Sequence, residues 1–304
     1  MPSLSNPITF AGGTLDRASD RRTNEGWLAG LRADGRSRAI VVGAPGARLD
    51  GEVPAAGDGW YTAAVGDPLA PALHPLDERE PIFLGVLGDG APLWAVDARE
   101  DEPLTGLREA APLLSDADAG LLAYAQQMVH WRRTHRFCGT CGRPTQAREG
   151  GHLRVCEEGH QIHPRTDPVV IMLVTDGAER ALLGRQAVWP PRRYSALAGF
   201  VEPGEALEAA VAREVFEEAG VRVTDVRYRA SQPWPFPASL MLGFEATWAG
   251  GEIAADEHEL EDARWFTRAE LQAGAEERDD APALLPPPLA IARRLIDLWL
   301  ARAP

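Results

Sequence analysis

Residues 199–221 read GFVEPGEALEAAVAREVFEEAGV, and their spacing decides how the second half of the chain folds. Pro203 and Gly204 break a preceding strand, Ala206 to Ala219 are good helix formers, and Gly220 is placed to end the helix in the left-handed conformation. The unit is loop, helix, loop. Counting about 100° per residue from Val215, Glu218, Glu214 and Glu217 fall at roughly −60°, −100° and −160°, whereas Val211, Ala219, Ala212 and Phe216 cover roughly −40° to +100°. One face packs and the next is an acidic arc. Within it Glu214 repels Glu217 and Glu218 by about 0.2–0.5 kcal/mol per pair, with no lysine or arginine interleaved. A divalent cation removes that conflict. Mg²⁺ and Mn²⁺ prefer oxygen donors and bind through a few carboxylates together with substrate phosphate oxygens.

Working outward, VVIMLVTDGAERALLGRQ from Val169 reads as strand, turn and strand, with Asp176-Gly177 as the turn. Beyond the acidic helix come further strands and a possible capping box of Thr267 and Glu270. An amphipathic terminal helix from Leu289 to Leu300 follows the stop Pro286-Pro287-Pro288. This half is α/β in character. The first 113 or so residues read as short strands joined by Gly/Pro-rich turns, such as Arg38 to Val42, Ile82 to Leu87 and Leu93 to Val96, which makes a small mixed domain. Ser115 caps a helix from about Asp116 to Thr134, with Leu121, Leu122, Ala125, Met128 and Val129 at helical spacing.

The 304 residues, 45% hydrophobic, are enough for about two packed domains. A formal charge of −14 repels anionic substrates overall, so phosphate chemistry needs local cations. One basic stretch exists: residues 131–167 hold seven Arg against four Asp or Glu. The three cysteines, Cys138, Cys141 and Cys156, all lie in it, a clustering that suits a metal better than a disulfide framework. The N-terminus has no signal-peptide pattern, and the longest aliphatic run, Val169 to Val174, is far short of the ~20 residues that cross a bilayer. The expectation is a cytoplasmic protein with no membrane partner.

With Gly199, Glu205, Arg213-Glu214-Val215, Glu217-Glu218 and Gly220-Val221 at these intervals, the stretch resembles the Nudix box, every fixed position filled. The resemblance implies an α/β (α+β) Nudix fold, a mixed sheet between helices. It also assigns roles: Glu214 and Glu218 as principal ligands of Mg²⁺ or Mn²⁺, Glu217 as a further ligand or the group that orients a water, and the Ala198 carbonyl as an additional donor. Glu205 would be the structural glutamate that pairs with Arg213. Glu259, in ELEDARWF, matches another acidic ligand, although a solvated acidic loop explains it nearly as well.

Residues 231–239, SQPWPFPAS, resemble the signature that follows the box in NADH pyrophosphatases. Pro233-Trp234-Pro235-Phe236 make a stiff loop whose flat apolar surfaces suit base stacking, a contribution of ~1–3 kcal/mol per ring. Gln232 and Ser239 could hydrogen-bond the nucleotide; the bland reading is a loop packed by its own aromatics. Cys138-x2-Cys141, fourteen residues, then Cys156 resembles the zinc ribbon of the same family, but Gly159 stands where the fourth cysteine usually is. His160 completes a Cys3His set for one structural Zn²⁺ per chain, with His163 as the competing donor. His163 also sits where the family has an aromatic substrate contact. Arg108, in GLREA, and Ala292, in AIARRLI, match substrate-contacting positions by short segments only.

The resemblance divides the chain into an N-terminal NADH-pyrophosphatase-like domain (1–130), a zinc ribbon (131–167) and a Nudix domain (168–304). It implies metal-dependent hydrolysis of NADH or NAD⁺ to nicotinamide mononucleotide and AMP, by a homodimer, and extends to relatives that remove an NAD cap from RNA 5′ ends. Two rival readings stand beside it. One is a Nudix hydrolase of ADP-ribose or a diadenosine polyphosphate; the other is a non-catalytic zinc-ribbon nucleic-acid-binding protein.

Overall fold

The computed structural model describes residues 8–13, 15–43, 46–50, 70–71, 73–75, 80–100, 102–256 and 258–302. The chain packs as two units, Met1–Thr166 with Pro233–Ala238, and Asp167–Gln232 with Ser239–Pro304. The ribbon therefore shares a compact body with the N-terminal residues, and the Pro/aromatic loop belongs to that body as well. No described helix is long and apolar enough to cross a membrane.

In the first unit a sheet runs in the order Ile82–Val86, Pro92–Asp97, Arg38–Val42, Gly46–Ala47, Thr105–Gly106, with Leu73–Pro75 also on Arg38–Val42. Arg38–Val42 and Pro92–Asp97 are parallel and almost wholly buried, as their unbroken Val, Ile, Leu and Ala content requires. The helix Asp116–Thr134 lies on these strands, and the Ser115 side chain accepts from the Asp118 N–H at its start. The ribbon is a three-stranded sheet, Gln161–Ile162, Leu153–Cys156 and Thr145–Arg148.

In the second unit the order is Arg222–Trp234, Ser239–Gly250, Asp167–Thr175, Arg180–Arg185, Asp262–Thr267, with Leu197–Phe200 also on Asp167–Thr175. The central strand is parallel to Ser239–Gly250, from Asp167↔Ser239 to Thr175↔Thr247, and antiparallel to Leu197–Phe200. The sheet is thus mixed. Parallel neighbours need a crossover, and the helix Leu207–Ala219 lies within it. Its Ala210, Val211, Val215 and Ala219 pack with Val170, Met172, Val174 and Phe244. Side chains alternate along a strand, so Gly243, next to Phe244, faces the other way and lies against Ile291 of the terminal helix Ile291–Leu300. The sheet therefore sits between helices. Thr267 and Glu270 form the capping box of Arg268–Ala275.

Candidate functional site

The acidic helix begins one residue later than propensity suggests, with Ala206 as its N-cap, and ends at Gly220 with φ 73°, the left-handed geometry that glycine adopts without strain. This holds Glu214 and Glu218 on the face next to the packed one. Their side chains meet the strand Leu197–Phe200, paired to the core at Ile171↔Ala198 and Val170↔Gly199. Here the absence of a side chain at Gly199 matters. A Cβ there would stand 1.9 Å from Glu214 Cδ, so the carboxylate occupies the space that glycine leaves.

A cavity of about 890 Å³ opens at this junction, walled by Ala198, Gly199, Phe200, Arg213, Glu214, Glu218 and Glu259 among others. Glu214 and Glu218 are 8% and 5% exposed, a degree of burial that carboxylates rarely tolerate without a partner. Burial raises the pKa of Glu218 to about 8, with Glu214 and Glu259 adding repulsion and the Ala198 N–H, 3.3 Å from Oε2, opposing both. Burial also raises Glu214, against the pull of Arg213. Two buried like charges facing a cavity fit a divalent cation, which removes both penalties.

The arc is not free of basic groups, contrary to the reading from spacing. Arg213 curls back along the helix: Nε and Nη2 donate to Glu205 at 2.6 and 2.9 Å, Nη1 to Glu214 at 2.8 Å and Glu217 at 2.7 Å, and Nη2 to the Phe200 carbonyl at 2.9 Å. That pairing holds Glu205 down at about 2. A flexible side chain of five donors bridges positions that a helical projection places apart, so the repulsion left unrelieved is centred on Glu218. Glu217 is exposed, held by Arg213, and not part of the cavity wall, whereas the loop residue Glu259 is.

In the ribbon, the ligand atoms of Cys138, Cys141, Cys156 and His160 lie within 4.8 Å of one another. Tetrahedral zinc, with bonds of about 2.3 Å to sulfur and about 2.05 Å to nitrogen, requires S···S edges of about 3.8 Å and S···N edges of about 3.6 Å. Three of the six edges have these lengths, 3.7 Å between Cys141 and Cys156 Sγ, and 3.6 and 3.5 Å from His160 Nδ1 to Cys138 and Cys156 Sγ. Zinc fits this set. Gly159, at φ 81°, makes the turn that brings in His160 one position beyond the usual cysteine, and His163 is exposed outside the group. Among the described residues no comparably tight set is formed by the glutamates, which instead surround an open cavity. That openness suits an ion that shares its ligands with phosphate oxygens.

Residues 165–285 match the NUDIX domain, residues 133–161 the NADH pyrophosphatase zinc ribbon domain, and residues 52–131 the NADH pyrophosphatase-like rudimentary NUDIX domain. The chain is 40% identical over 310 aligned positions, 94% of its length and 92% of the relative's, to the NAD-capped RNA hydrolase NudC of Mycobacterium bovis. It is 43% identical to the Deinococcus radiodurans protein of that name, over 76% of this chain and 81% of the other. The chain belongs to the NADH pyrophosphatase family of Nudix hydrolases. A third relative, the NAD-capped RNA hydrolase NUDT12 of Macaca fascicularis, is 44% identical over 62% of this chain and 43% of its own.

In this Nudix hydrolase the SQPWPFP segment has two fates. Trp234 and Phe236 stack edge to face at 5.1 Å, Phe10 packs edge-on to both, and the Arg108 guanidinium lies 4.2 Å over the Phe236 ring. Arg108 and Phe236 line a cavity of about 450 Å³ in the first unit. Gln232, read as a nucleotide contact, is instead fully buried: Nε2 donates to the Leu289 carbonyl at 2.7 Å and Oε1 accepts from the Ile291 N–H at 2.9 Å. It fastens the start of the terminal helix. Ala292 is likewise buried, 3% exposed, because that helix turns it into the core rather than toward the cavity. Ser239 is buried at the first position of its strand, opposite Asp167. Two apolar wall residues of the large cavity escaped sequence reading, Phe200 at 61% and Val188 at 81% exposed. The signal for Phe200 was present: an aromatic beside Gly199 at the end of a strand that otherwise packs inward.

Proposed function

We propose that the protein hydrolyses the diphosphate bridge of NADH and NAD⁺ to nicotinamide mononucleotide and AMP, and removes NAD caps from RNA 5′ ends. Glu214, Glu218, Glu259 and the Ala198 carbonyl would hold Mg²⁺ or Mn²⁺. One observation carries the reading: two buried carboxylates, Glu214 and Glu218, face the same cavity, and among the described residues the only cation paired with either is Arg213, which reaches Glu214 but not Glu218. When bound, divalent ions supply Lewis acidity toward the diphosphate and acidify water.

The chain's own groups supply position. Pairing of Ile171 with Ala198 fixes the direction of the Ala198 carbonyl, and the Ala198 N–H holds the Glu218 carboxylate. Arg213 orients Glu214, and Phe200 and Val188 present apolar surface to a base or ribose. In the other unit, the Arg108–Phe236 cavity offers a cationic and an aromatic face to a nucleotide. Water is the nucleophile, so no serine or cysteine is required at the cavity. The names of the relatives favour NAD(H) and NAD-capped RNA over ADP-ribose or diadenosine polyphosphates. The same reading carries the homodimer that the resemblance implies and the cytoplasmic location expected from the sequence.

The test is Glu218→Gln, which keeps shape and removes charge. Loss of an ion worth several kcal/mol of transition-state stabilisation lowers kcat on the order of 10³-fold. Thermal unfolding should hold or rise, because a buried charge has gone. Chromatography of the wild-type products should give mononucleotide and AMP. Ribose 5-phosphate with AMP would move the substrate to ADP-ribose, and a Glu218→Gln variant with near-wild-type kcat would overturn the mechanism.

A further inference from the structure

Four arginines that the catalytic reading leaves unused gather in the first unit. Arg132, Arg133, Arg136 and Arg154 line, with Glu80 and Asp97, a cavity of about 400 Å³ where the end of the long helix meets the ribbon. Asp97 serves two of them, accepting from Arg132 Nη2 at 3.0 Å and from Arg133 Nε at 3.0 Å and Nη2. Arg132 Nη1 also donates to the Glu80 carbonyl.

Arg154 is only 7% exposed, and Nε and Nη2 donate to Thr145 Oγ1 at 2.6 Å and the Thr145 carbonyl at 2.8 Å, both neutral acceptors. No carboxylate lies within 4.0 Å of it among the described residues. Arg136 is exposed and ion-pairs with no described carboxylate. Four guanidiniums against two carboxylates leave a formal +2 in this cavity, in a chain whose total is −14.

We infer that this cavity binds phosphate groups of a polynucleotide chain. A buried guanidinium with no carboxylate in contact is costly, and a phosphate oxygen is the acceptor whose geometry its planar fork matches. The charge is spread over two elements, the helix end and the ribbon strand Leu153–Cys156, as suits an extended polyanion better than one small ion. Phe137, the residue after Arg136 and not itself on the cavity wall, is 60% exposed and so free to stack on a base of a strand held by the arginines. The inference deepens the NAD-cap reading and rests on it for the choice of RNA. The cavity would hold the RNA body, which free NADH lacks.

The test measures binding of uncapped, fluorescently labelled single-stranded RNA to the full chain between about 50 and 200 mM salt. Wild type, Arg136→Lys and Arg136→Glu are compared, with turnover of NADH and of NAD-capped RNA on the same preparations. Arg136→Lys keeps Kd within about threefold, since it retains the charge. Arg136→Glu weakens RNA on the order of tenfold and flattens the log–log salt slope by about 0.7 for each phosphate no longer neutralised. It lowers kcat/KM for capped RNA by a similar factor and leaves NADH turnover unchanged. Equal Kd and slope in wild type and Arg136→Glu overturn the inference. Displacement of RNA by inorganic phosphate at concentrations matching the RNA Kd also overturns it, in favour of a small-anion site. If the wild type hydrolyses no NADH yet its RNA binding depends on Arg136, the proposed activity fails and this site stands; if NADH is hydrolysed and RNA binding ignores Arg136, the reverse holds.

Discussion

Gly199→Ala separates the placement of Glu214, the carboxylate proposed to hold the divalent ion, from the stability of the fold. The new Cβ would lie 1.9 Å from Glu214 Cδ and 2.0 and 2.1 Å from its two oxygens. Atoms in real structures keep about 3 Å or more apart at such close approaches, so the carboxylate has to move by roughly 1 Å or more. The obstacle is the far end of a side chain and not backbone. Gly199 is also not among the glycines with positive φ, so alanine meets no conformational strain. The strand pairing with Val170 is kept, and the melting temperature should stay within the few degrees that ~1 kcal/mol produces. Catalysis is different. A misplacement near 1 Å in a positioned group costs on the order of 10²-fold. We expect kcat/KM for NADH to fall by about that factor, with a weaker apparent affinity for Mn²⁺ in the same assay. Adding Glu214→Asp, one methylene shorter, should restore part of the loss in the alanine background while lowering activity in the glycine background. A Gly199→Ala enzyme with kcat/KM within threefold of wild type would refute the claim that the missing side chain makes room for Glu214.

Two further outcomes follow from buried polar groups. Gln232→Ala removes both bonds that hold the start of the terminal helix, leaving the Leu289 carbonyl and Ile291 N–H unmet. Chemical denaturation should report a loss of about 2–3 kcal/mol, with kcat/KM of the folded fraction nearly unchanged; a large rise in KM with no loss of stability would return Gln232 to the substrate. His152 stands 2.7 Å from the Phe83 carbonyl, which can only accept, so Nε2 carries the proton, and burial lowers its pKa from 6.5 to about 4. The native state then binds fewer protons than the unfolded chain. Its contribution is complete above pH 6.5 and is lost as pH falls toward about 4, by up to about 3 kcal/mol. Denaturation midpoints of His152→Gln should fall less steeply over that range than wild type, and parallel profiles would exclude His152 as the cause.

Much of the catalytic half could be read from the chain because its information is local. The helix Leu207–Ala219, its stop at Gly220 and the shared side of Glu214 and Glu218 follow from periodicity within a few turns, whereas their burial comes from the strand Leu197–Phe200. Cysteine spacing likewise located the ribbon, and a one-residue offset at Gly159 decided between His160 and His163 only once distances were available. What spacing could not reveal depended on partners remote in sequence. Gln232 meets a helix more than fifty residues away, Ala292 turns inward because of the sheet it lands on, and Arg213 reaches back past its helical neighbours to Glu205. The arginine cavity belongs to the same class. Arg154 is separated from Arg132 by the Cys138–Cys141 turn and the strand Thr145–Arg148, and only folding shows that both face one space.

The assignment of Pro233–Ala238 to the first unit, between two stretches of the second, has a practical consequence for dissection of the protein. A fragment cut at Asp167 to isolate the catalytic half would carry Trp234 and Phe236 away from Phe10 and Arg108, which cover their rings in the full chain. Two uncovered aromatics on one short loop form an adhesive patch. Such a truncate should self-associate even with an undamaged sheet, and poor solubility of the excised half would be no argument against its fold.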